Sequence, residues 1–353
     1  MSYLGDRTLD HLRSLADMPD LDGTRYTIES RLAAGGMGVV YRALDQTLGR
    51  PVALKVLKPE LSSAANVARL EREARIIAQL EHPGIVPVHD LGMLPDGRMY
   101  YVMKLIQGRR LDEMFTPASP LADRLRAFER IAETVAFAHA HGVIHRDLKP
   151  QNVMVGAFGE VLVLDWGVAK LLRSAEPEPQ PATRAPSPIT PDTPDAADVA
   201  TRTMGTSPGA VIGTPAYMAP EQARGDVAAV DARCDVYALG GILFHLLTGE
   251  GPHMSGPGAV APAARLDAAR PAPPRALAAI CLKALAEAPT DRYRSADELI
   301  DDIRAHLADG RVQAYREPLL ARIGRTCWKY RVAIGLIAAY ILMRAVLIFW
   351  QRI

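Results

Sequence analysis

The sequence HRDLKPQN at residues 145–152 places an acid, a lysine and an asparagine at a spacing that suits phosphate chemistry. The Asp147 carboxylate can accept a hydrogen bond from a hydroxyl that attacks phosphorus, and Lys149 can contact the transferred phosphate as a point charge. Asn152 offers an amide oxygen, a type of ligand that Mg²⁺ prefers. The alternative is a polar loop that shows this order by chance. We predict that these three side chains act in phosphoryl transfer.

A glycine-rich segment and a lysine-containing strand lie upstream. Residues 33–40 read AAGGMGVV, which suits a phosphate-binding loop but also an ordinary hairpin turn. Residues 51–55 follow as PVALK, within a stretch of alternating apolar and β-branched residues that predicts strands. Lys55 therefore lies on a predicted strand shortly after the glycines.

A helix is predicted next, over Asn66–Leu80, because Leu70, Ala74, Ile77 and Leu80 recur at helical spacing. Glu73 lies on this helix. Its position after Lys55 in the chain favours an ion pair between the two side chains. The alternative is an ordinary solvated helix face, since Glu71 and Arg72 lie beside it.

Two further motifs follow the first stretch. A short apolar strand at 161–164 ends in Asp165-Trp166-Gly167, and residues 213–221 read GTPAYMAPE. With these, five motifs occur in one order, and the chain resembles the bacterial eukaryotic-type serine/threonine protein kinases over about residues 26–307. The family patterns are G-x-G-x-x-G-x-V, V-A-I-K, H-R-D-L-x-x-x-N, D-F-G and A-P-E. Ala33 replaces the first glycine, and Trp166 replaces the phenylalanine.

The resemblance implies a two-lobed α+β kinase fold with ATP in the cleft between the lobes. A small β-rich N-lobe is expected at about 26–103, and a larger α-helical C-lobe at about 108–307. The resemblance also implies that Asp235 anchors the backbone of the catalytic loop. Arg292 is expected to pair with Glu221.

The resemblance assigns a role to each candidate site residue. Lys55 contacts the α- and β-phosphates of ATP and is held by Glu73, Asp147 orients the acceptor hydroxyl, and Lys149 neutralises charge on the γ-phosphate. Asn152 and Asp165 bind Mg²⁺, with Mn²⁺ as an alternative metal. Besides Lys55, the expected ATP-binding residues are Leu32, Ala33, Gly35, Gly36, Met37, Gly38, Val40, Ala53, Met103, Lys104, Ile106 and Met154.

Composition narrows the partners and the compartment. The 353 residues carry a formal net charge of +1, which offers no global electrostatic case for binding nucleic acid. Protein substrates are the partners that the resemblance implies. The three cysteines are far apart and lack metal-ligand spacing, which favours a reducing cytoplasm. Residues 1–25 form an N-terminal lead-in in which we expect no signal peptide.

Residues 251–274, rich in proline, glycine and alanine, predict a shortened or irregular segment.

A second unusual segment lies within the activation segment. Residues 174–203 are rich in Pro, Ala, Ser, Thr and Asp and contain almost no large apolar residue, which predicts a disordered insertion. Arg146 directly precedes Asp147, and an arginine at this position can pair with a phosphate on the activation segment. The candidate phosphosites are Thr201, Thr203, Thr206 and Ser207. We expect autophosphorylation there, in trans within a homodimer; the alternative is hydroxyls that merely solvate a loop.

The last candidate element is an apolar run at 332–350, interrupted only by Arg344 and long enough to cross a bilayer as a helix. The preceding linker, residues 308–331, is basic and contributes Arg322, Arg325, Lys329 and Arg331. Under the positive-inside rule these residues stay in the cytoplasm. The run therefore predicts a transmembrane helix of a single-pass inner-membrane protein with a cytoplasmic kinase domain. The alternative is a helix packed on the kinase domain or on a partner.

The sequence thus predicts a serine/threonine protein kinase that transfers the γ-phosphate of ATP to protein hydroxyls. The rival is a membrane-tethered pseudokinase or ATP-binding scaffold, supported only by Ala33, Trp166 and the irregular 251–274 segment. Every charged group that handles phosphate or metal is present, which favours the enzyme. A small-molecule phosphotransferase of related fold is a third interpretation, which the Ala219-Pro220-Glu221 element disfavours.

Overall fold

The computed structural model describes residues 18–36, 38–166, 170–171, 215–225, 230–253, 260–315 and 331–350. The predicted insertion at 174–203 and the four candidate phosphosites lie outside these ranges, as do Met37 and most of the basic linker.

An antiparallel five-stranded sheet forms the first lobe, in the order β1-β2-β3-β5-β4. Apolar residues of the sheet belong to two core clusters, and the central strand β3 pairs with β2 on one side and with β5 on the other. The strands are β1 (Tyr26–Ala34), β2 (Gly38–Asp45), β3 (Arg50–Leu57), β4 (Val88–Met93) and β5 (Met99–Lys104).

One long helix, α1 (Ala64–Gln79), packs against β4 and β5. Its buried apolar residues Leu70, Ala74 and Ile77 repeat at helical spacing, as the sequence predicts. The helix begins two residues before the predicted start because the Ser63 side chain caps it by accepting the backbone N–H of Asn66.

The second lobe is mainly helical. Short strands carry the catalytic loop and the residues that follow it, and the helices surround them. The elements are β6 (Gly108–Arg110), α2 (Leu111–Met114), α3 (Leu121–Ala140), β7 (Val143–Ile144), β8 (Val153–Gly156), β9 (Val161–Val163), β10 (Lys170–Leu171), α4 (Pro220–Ala223), α5 (Arg233–Thr248), α6 (Pro262–Ala268), α7 (Arg275–Ala284) and α8 (Ala296–Leu307). The predicted α+β arrangement of a β-rich lobe and a helical lobe is confirmed.

Helix α5 is the centre of this lobe. It is apolar on all sides, and its residues are buried almost from end to end, because α3, α7 and α8 all pack on it. Gly240 allows close contact with α7, since a Cβ there would lie 2.8 Å from the Cβ of Ala284. The helix ends at Gly249, whose φ of 82° is the left-handed conformation that glycine adopts without strain.

The expected irregular segment at 251–274 contains a regular element in its described part. Helix α6 occupies seven residues of it, beginning at Pro262, where the fixed proline φ suits the first helical position. Leu266 anchors the helix at 1% exposure. The prediction of irregular structure is therefore wrong for these seven residues.

Near the C-terminus, helix α9 covers Arg331–Trp350, and its described side chains are exposed, among them Leu336, Ile341 and Leu347. Within the part of the chain that the structure describes, no helix combines the length and the apolar character needed to cross a bilayer. The transmembrane assignment of 332–350 is not supported by this finding.

A buried acid fastens the chain that leaves α8. Asp302, 1% exposed, accepts hydrogen bonds from the Tyr293 hydroxyl at 2.8 Å and from the backbone N–H groups of Gln313 and Ala314 at 2.6 and 3.0 Å. Val312 is buried in the main core beside them. The polypeptide is thus held against the helical lobe up to this point.

The predicted pair between Arg292 and Glu221 is present. Two parallel hydrogen bonds, 2.7 and 2.8 Å long, join the guanidinium to the carboxylate. Arg292 also donates to the backbone carbonyls of Arg233, Ala286 and Glu287, and its side chain is fully buried. The pair therefore ties α4 to the start of α5 and to the segment before α8.

We expect Glu221→Ala to lower the free energy of unfolding by about 3–5 kcal/mol, because it leaves the Arg292 charge buried without its partner. The control is Arg304→Ala on the exposed pairs of Arg304 with Glu129 and Glu133, where the loss should be about 1 kcal/mol or less. Denaturant unfolding of both variants measures the difference, and equal losses would contradict the role given to the buried pair.

Candidate active site

Three charged groups from three elements meet at the cleft face of the sheet. Lys55 on β3 donates to Glu73 on α1 at 2.7 Å, and its ammonium lies 3.3 Å from Asp165, which follows β9. The Glu73 side chain is fully buried, whereas the Asp165 side chain is 53% exposed. The structure therefore forms the predicted Lys55–Glu73 pair and adds Asp165 to it.

The charges support one another. Burial acts to lower the pKa of Lys55, but neighbouring Tyr101, Glu73 and Asp165 outweigh it and hold that pKa above its ordinary value. Burial likewise acts to raise the pKa of Asp165, but Lys55, with smaller effects from His145 and Lys149, keeps it below its ordinary value. Near neutral pH, Lys55 is a cation and Asp165 an anion, as handling phosphate and metal requires.

The catalytic loop brings its three predicted residues together. Lys149 Nζ contacts both carboxylate oxygens of Asp147, at 2.8 and 3.1 Å. The side-chain nitrogen of Asn152 donates to the Asp147 backbone carbonyl at 2.8 Å and to its carboxylate at 3.1 Å. Because the nitrogen is used in these bonds, the amide oxygen of Asn152 is the atom left to bind a metal.

Asp235 on α5 holds the backbone of this loop in place. Its carboxylate accepts the backbone N–H groups of His145 and Arg146, both at 2.8 Å, and bonds His139 Nε2 at 2.8 Å. Burial acts to raise the pKa of Asp235, but the His139 bond, the charges of His139 and His145 and the Arg146 backbone bond keep it lowered. The predicted anchor is present. The part of His139 was missed, although a histidine near the end of the preceding helix was visible in the sequence.

Arg146 has an unusual backbone. Its φ of 70° lies in a region that non-glycine residues rarely occupy. Asp235 holds its N–H, and Gln222 donates to its carbonyl at 3.0 Å. The Arg146 Nε is buried and has no hydrogen-bond partner among the described residues.

Asn152 and Asp165, the two predicted metal ligands, lie on neighbouring stretches of backbone. Leu164, which precedes Asp165, donates its N–H to the carbonyl of Asn152 at 2.8 Å. A carboxylate and an amide oxygen form the hard oxygen donor set that Mg²⁺ takes, together with phosphate oxygens. Asn152 and Asp165 therefore fit a magnesium ion held against a nucleotide.

Trp166 does more than replace a phenylalanine. Its ring is 1% exposed and lies 4.6 Å from the His145 ring, centroid to centroid. Its indole N–H donates to the backbone carbonyl of Val163 at 3.3 Å, beside Asp165, which has a φ of 62°. The hydrogen bond depends on a backbone turn that no local sequence pattern indicates, so the sequence shows only that a tryptophan stands in place of the family's phenylalanine.

The predicted adenine-side residues fall on neighbouring strands. Ala53 on β3 pairs with Met103 on β5, and Lys104 ends that strand before the connection containing Ile106. Met154 lies on β8 in the other lobe. These positions suit a flat ring held between the two lobes.

The glycine-rich segment forms the turn between β1 and β2. Leu32 and Ala33 lie at the end of β1, and Gly35 donates its N–H to the Gly38 carbonyl at 2.9 Å. At Gly38 a Cβ would lie 2.7 Å from the Val56 carbonyl oxygen, so a side chain cannot be added without a shift. Val40 pairs with Lys55, while Gly36 is exposed at the turn. The turn is therefore joined directly to the strand that carries the lysine.

One site residue was missed altogether. The Tyr101 hydroxyl on β5 donates to Glu73 Oε1 at 2.8 Å. In the sequence, Tyr101 is one apolar residue of a strand, and only the packing of α1 on β5 brings it to the glutamate.

Comparison with known proteins identifies relatives of this arrangement. Residues 26–302 match the family described as protein kinase domain. The serine/threonine-protein kinase PknD of Chlamydia trachomatis serovar D is 35% identical over 328 residues, which cover 87% of this chain and 34% of that protein. The serine/threonine-protein kinase PknB of Mycolicibacterium smegmatis is 39% identical over 298 residues, covering 80% of this chain and 43% of that protein.

Among solved structures, the kinase domain of Mycobacterium tuberculosis PknI is similar. It is 28% identical, with a TM-score of 0.57, over 79% of this chain and 95% of that one. The chain spans about a third of the length of the PknD proteins it matches.

Proposed function

Because the chain belongs to the protein kinase family, we propose that it is a serine/threonine protein kinase that transfers the γ-phosphate of ATP to protein hydroxyls. The named relatives are serine/threonine-protein kinases, which supports this choice of acceptor. Lys149 after Asp147 and the Gly213-Thr214-Pro215 sequence support it as well, by resemblance to that class.

The observation that carries the proposal is the contact of Lys55 with both Glu73 and Asp165. Buried charges cost free energy, and a scaffold that only binds partners has no need of them. Here the three groups are assembled, and Asp147, Lys149 and Asn152 contact one another on the other side of the cleft. This argues against a pseudokinase, because no charged member of the set is replaced.

Each residue then has a task in the transfer. Lys55 binds the α- and β-phosphates while Glu73 keeps its ammonium in place, and backbone N–H groups of the glycine-rich turn cover the phosphates. Asp147 accepts a hydrogen bond from the acceptor hydroxyl and orients its oxygen toward the γ-phosphorus. The oxygen–phosphorus bond forms as the bond from the γ-phosphorus to the bridging oxygen of ADP breaks, and the hydroxyl proton passes to Asp147.

Charge on the phosphate oxygens is offset from two sides. Lys149 contacts the Asp147 carboxylate, and its ammonium is the group that would neutralise charge on the γ-phosphate. The Asn152 amide oxygen and the Asp165 carboxylate would hold Mg²⁺, or Mn²⁺ in its place, which would supply further neutralisation of the phosphate charge.

A cavity beside the catalytic loop supports a protein acceptor. It has a volume of about 320 Å³ and is lined by Gln151 of the loop, by Tyr217, and by residues of α5, α6 and the segment between them, among them His245, Glu250 and Arg265. A cavity of this size, whose lining includes Gln151 four residues after Asp147 in the chain, suits a side chain of a polypeptide substrate.

Arg146 supports regulation by phosphate. Its buried Nε lacks a described partner, and a phosphate on Thr201, Thr203, Thr206 or Ser207 would provide one through charge-assisted hydrogen bonds. In a homodimer, the active site of one copy of the chain would phosphorylate these hydroxyls on the other copy.

The exposed apolar side chains of α9 support attachment to the inner membrane, with the kinase domain in the cytoplasm. Residues such as Leu336, Ile341 and Leu347 are unfavourable in water, and the basic residues before the helix suit an anionic membrane surface. This location is a proposal that rests on the helix and its basic flank.

We expect Asp147→Asn, Lys55→Met and Asp165→Asn each to lower phosphate transfer by about 100-fold or more, because each removes a group that acts on the hydroxyl, the phosphates or the metal. Full-length protein is incubated with labelled ATP and Mg²⁺, and phosphoserine and phosphothreonine are measured. Asp301→Asn, an exposed carboxylate changed in the same way, is the control. Transfer at the normal rate by any of the three variants would contradict the proposal.

We expect the change of all four candidate phosphosites to alanine to lower activity toward an added substrate several-fold, because Arg146 then has no phosphate to bind. Mass spectrometry of the active protein should find phosphate among these residues. In an Arg146→Gln background the same four changes should have no additional effect, since the two alterations remove one interaction. Independent, additive losses would show that Arg146 does not bind these phosphates.

We expect the full-length chain to sediment with membranes and the chain lacking residues 332–353 to remain in the supernatant, because the deletion removes the exposed apolar helix. Washing the membranes with high salt and then with alkaline carbonate separates electrostatic attachment from insertion. Recovery of the full-length chain in the soluble fraction after gentle lysis would rule out membrane attachment.

A further inference from the structure

The Lys55–Glu73 pair has a third member. Tyr101 Oη donates to Glu73 Oε1 at 2.8 Å, the same oxygen that accepts from Lys55 Nζ at 2.7 Å. The Lys55 ammonium also lies 5.6 Å from the centre of the Tyr101 ring, within the range of a cation–π contact. Tyr101 is 2% exposed, so all three groups interact away from water.

The hydrogen bonds to Glu73 Oε1 matter more because the other carboxylate oxygen has none. Glu73 Oε2 is buried and has no hydrogen-bond partner in the described part of the chain. The carboxylate is therefore satisfied through Oε1 alone, by one ammonium and one hydroxyl. A buried carboxylate that loses a donor loses more than an ordinary hydrogen bond, because water cannot replace that donor.

Two of these three residues lie on the sheet and one lies on the helix. Lys55 and Tyr101 are directly opposite each other in the β3–β5 ladder, so both belong to the rigid sheet, whereas Glu73 belongs to α1. Tyr101 also packs with Leu70 and Ala74 of the same helix. Its hydroxyl thus links the helix to the sheet without using the lysine.

We propose that Tyr101 is a positioning residue, whose hydroxyl holds Glu73 and helix α1 against the sheet while the Lys55 ammonium is shared with the nucleotide phosphates. The inference rests on the proposed kinase function for its consequence in catalysis, and on the geometry alone for the docking of α1. A tyrosine suits this task because its hydroxyl is neutral, donates one hydrogen bond and does not compete for phosphate.

The Tyr101 hydroxyl stays protonated, as a hydrogen-bond donor to Glu73 must. Burial raises the pKa of Tyr101 well above its ordinary value; Lys55 opposes the rise and Glu73 adds to it. The hydroxyl therefore remains a donor at any pH at which the protein works. The contact with Glu73 is in this respect independent of pH.

The test is Tyr101→Phe in the full-length chain, which removes the hydroxyl and keeps the ring. Tyr100→Phe is the matched control: it deletes the same group from the next residue of β5, whose ring packs against Tyr26 in a different core cluster. Backbone amide hydrogen exchange is measured in the nucleotide-free proteins for α1, with α8 as an internal reference. Binding of a fluorescent ATP analogue and steady-state kinetics are measured alongside.

We expect Tyr101→Phe to speed exchange in α1 about ten-fold and leave exchange in α8 unchanged, since one hydrogen bond to a charged group is lost at one point. The dissociation constant of the analogue and the KM for ATP should rise about ten-fold, with little change in the KM for the protein substrate. Tyr100→Phe should change none of these quantities.

Two results would overturn the inference. If Tyr101→Phe exchanges its α1 amides and binds the nucleotide analogue as the unmodified protein does, the hydroxyl only completes a buried hydrogen bond and does not position α1. Faster exchange in α1 and α8 alike, with unchanged nucleotide affinity, would show a general loss of stability. Because exchange and binding need no phosphate transfer, they test Tyr101 even if the full-length chain proves inactive, a result that would refute the proposed function alone.

Discussion

A single buried carboxylate, Asp235, gives the catalytic loop its shape. It lies at the start of the most deeply buried helix and receives two backbone N–H groups of the loop, one of them from Arg146 in a left-handed conformation. Without a fixed acceptor below it, that conformation would be unfavourable for arginine. Asp147, Lys149 and Asn152 all follow within six residues, so the positions of these three side chains depend on this acid and on the packing of α5.

Two structural supports of the helical lobe are bonded more completely than two charged groups at the cleft. In the helical lobe, Asp235 and Arg292 are bonded on several sides, which makes them rigid supports. At the cleft, Glu73 of the sheet lobe is satisfied through one oxygen, and Asp165 of the helical lobe is half exposed. Under the proposed function, Lys55 beside Glu73 is shared with the nucleotide phosphates and Asp165 with a metal, and incomplete bonding at the cleft is consistent with that.

Much of this could be predicted from the sequence because the chemistry lies in short motifs. Residues such as Asp147 and Asn152 are close in the chain, and their contacts follow from one loop. The Lys55–Glu73 and Arg292–Glu221 contacts were predicted from the family resemblance, since 18 and 71 residues separate the partners. The role of Tyr101 and the indole bond of Trp166 were not predicted, because both depend on tertiary packing. Helix α6 was missed because proline and alanine were interpreted as signs of irregular structure, although proline also suits the first turn of a helix.

The fastening of the chain by Asp302 has a geometric consequence. The polypeptide is held to the helical lobe through Ala314, and α9 begins at Arg331. The intervening residues, 315–330, can span at most about 55 Å when fully extended. Ala314 and the start of α9 can therefore lie no farther apart than this length, whatever α9 binds. Shortening residues 315–330 would reduce that maximum distance without altering a single residue of the cleft.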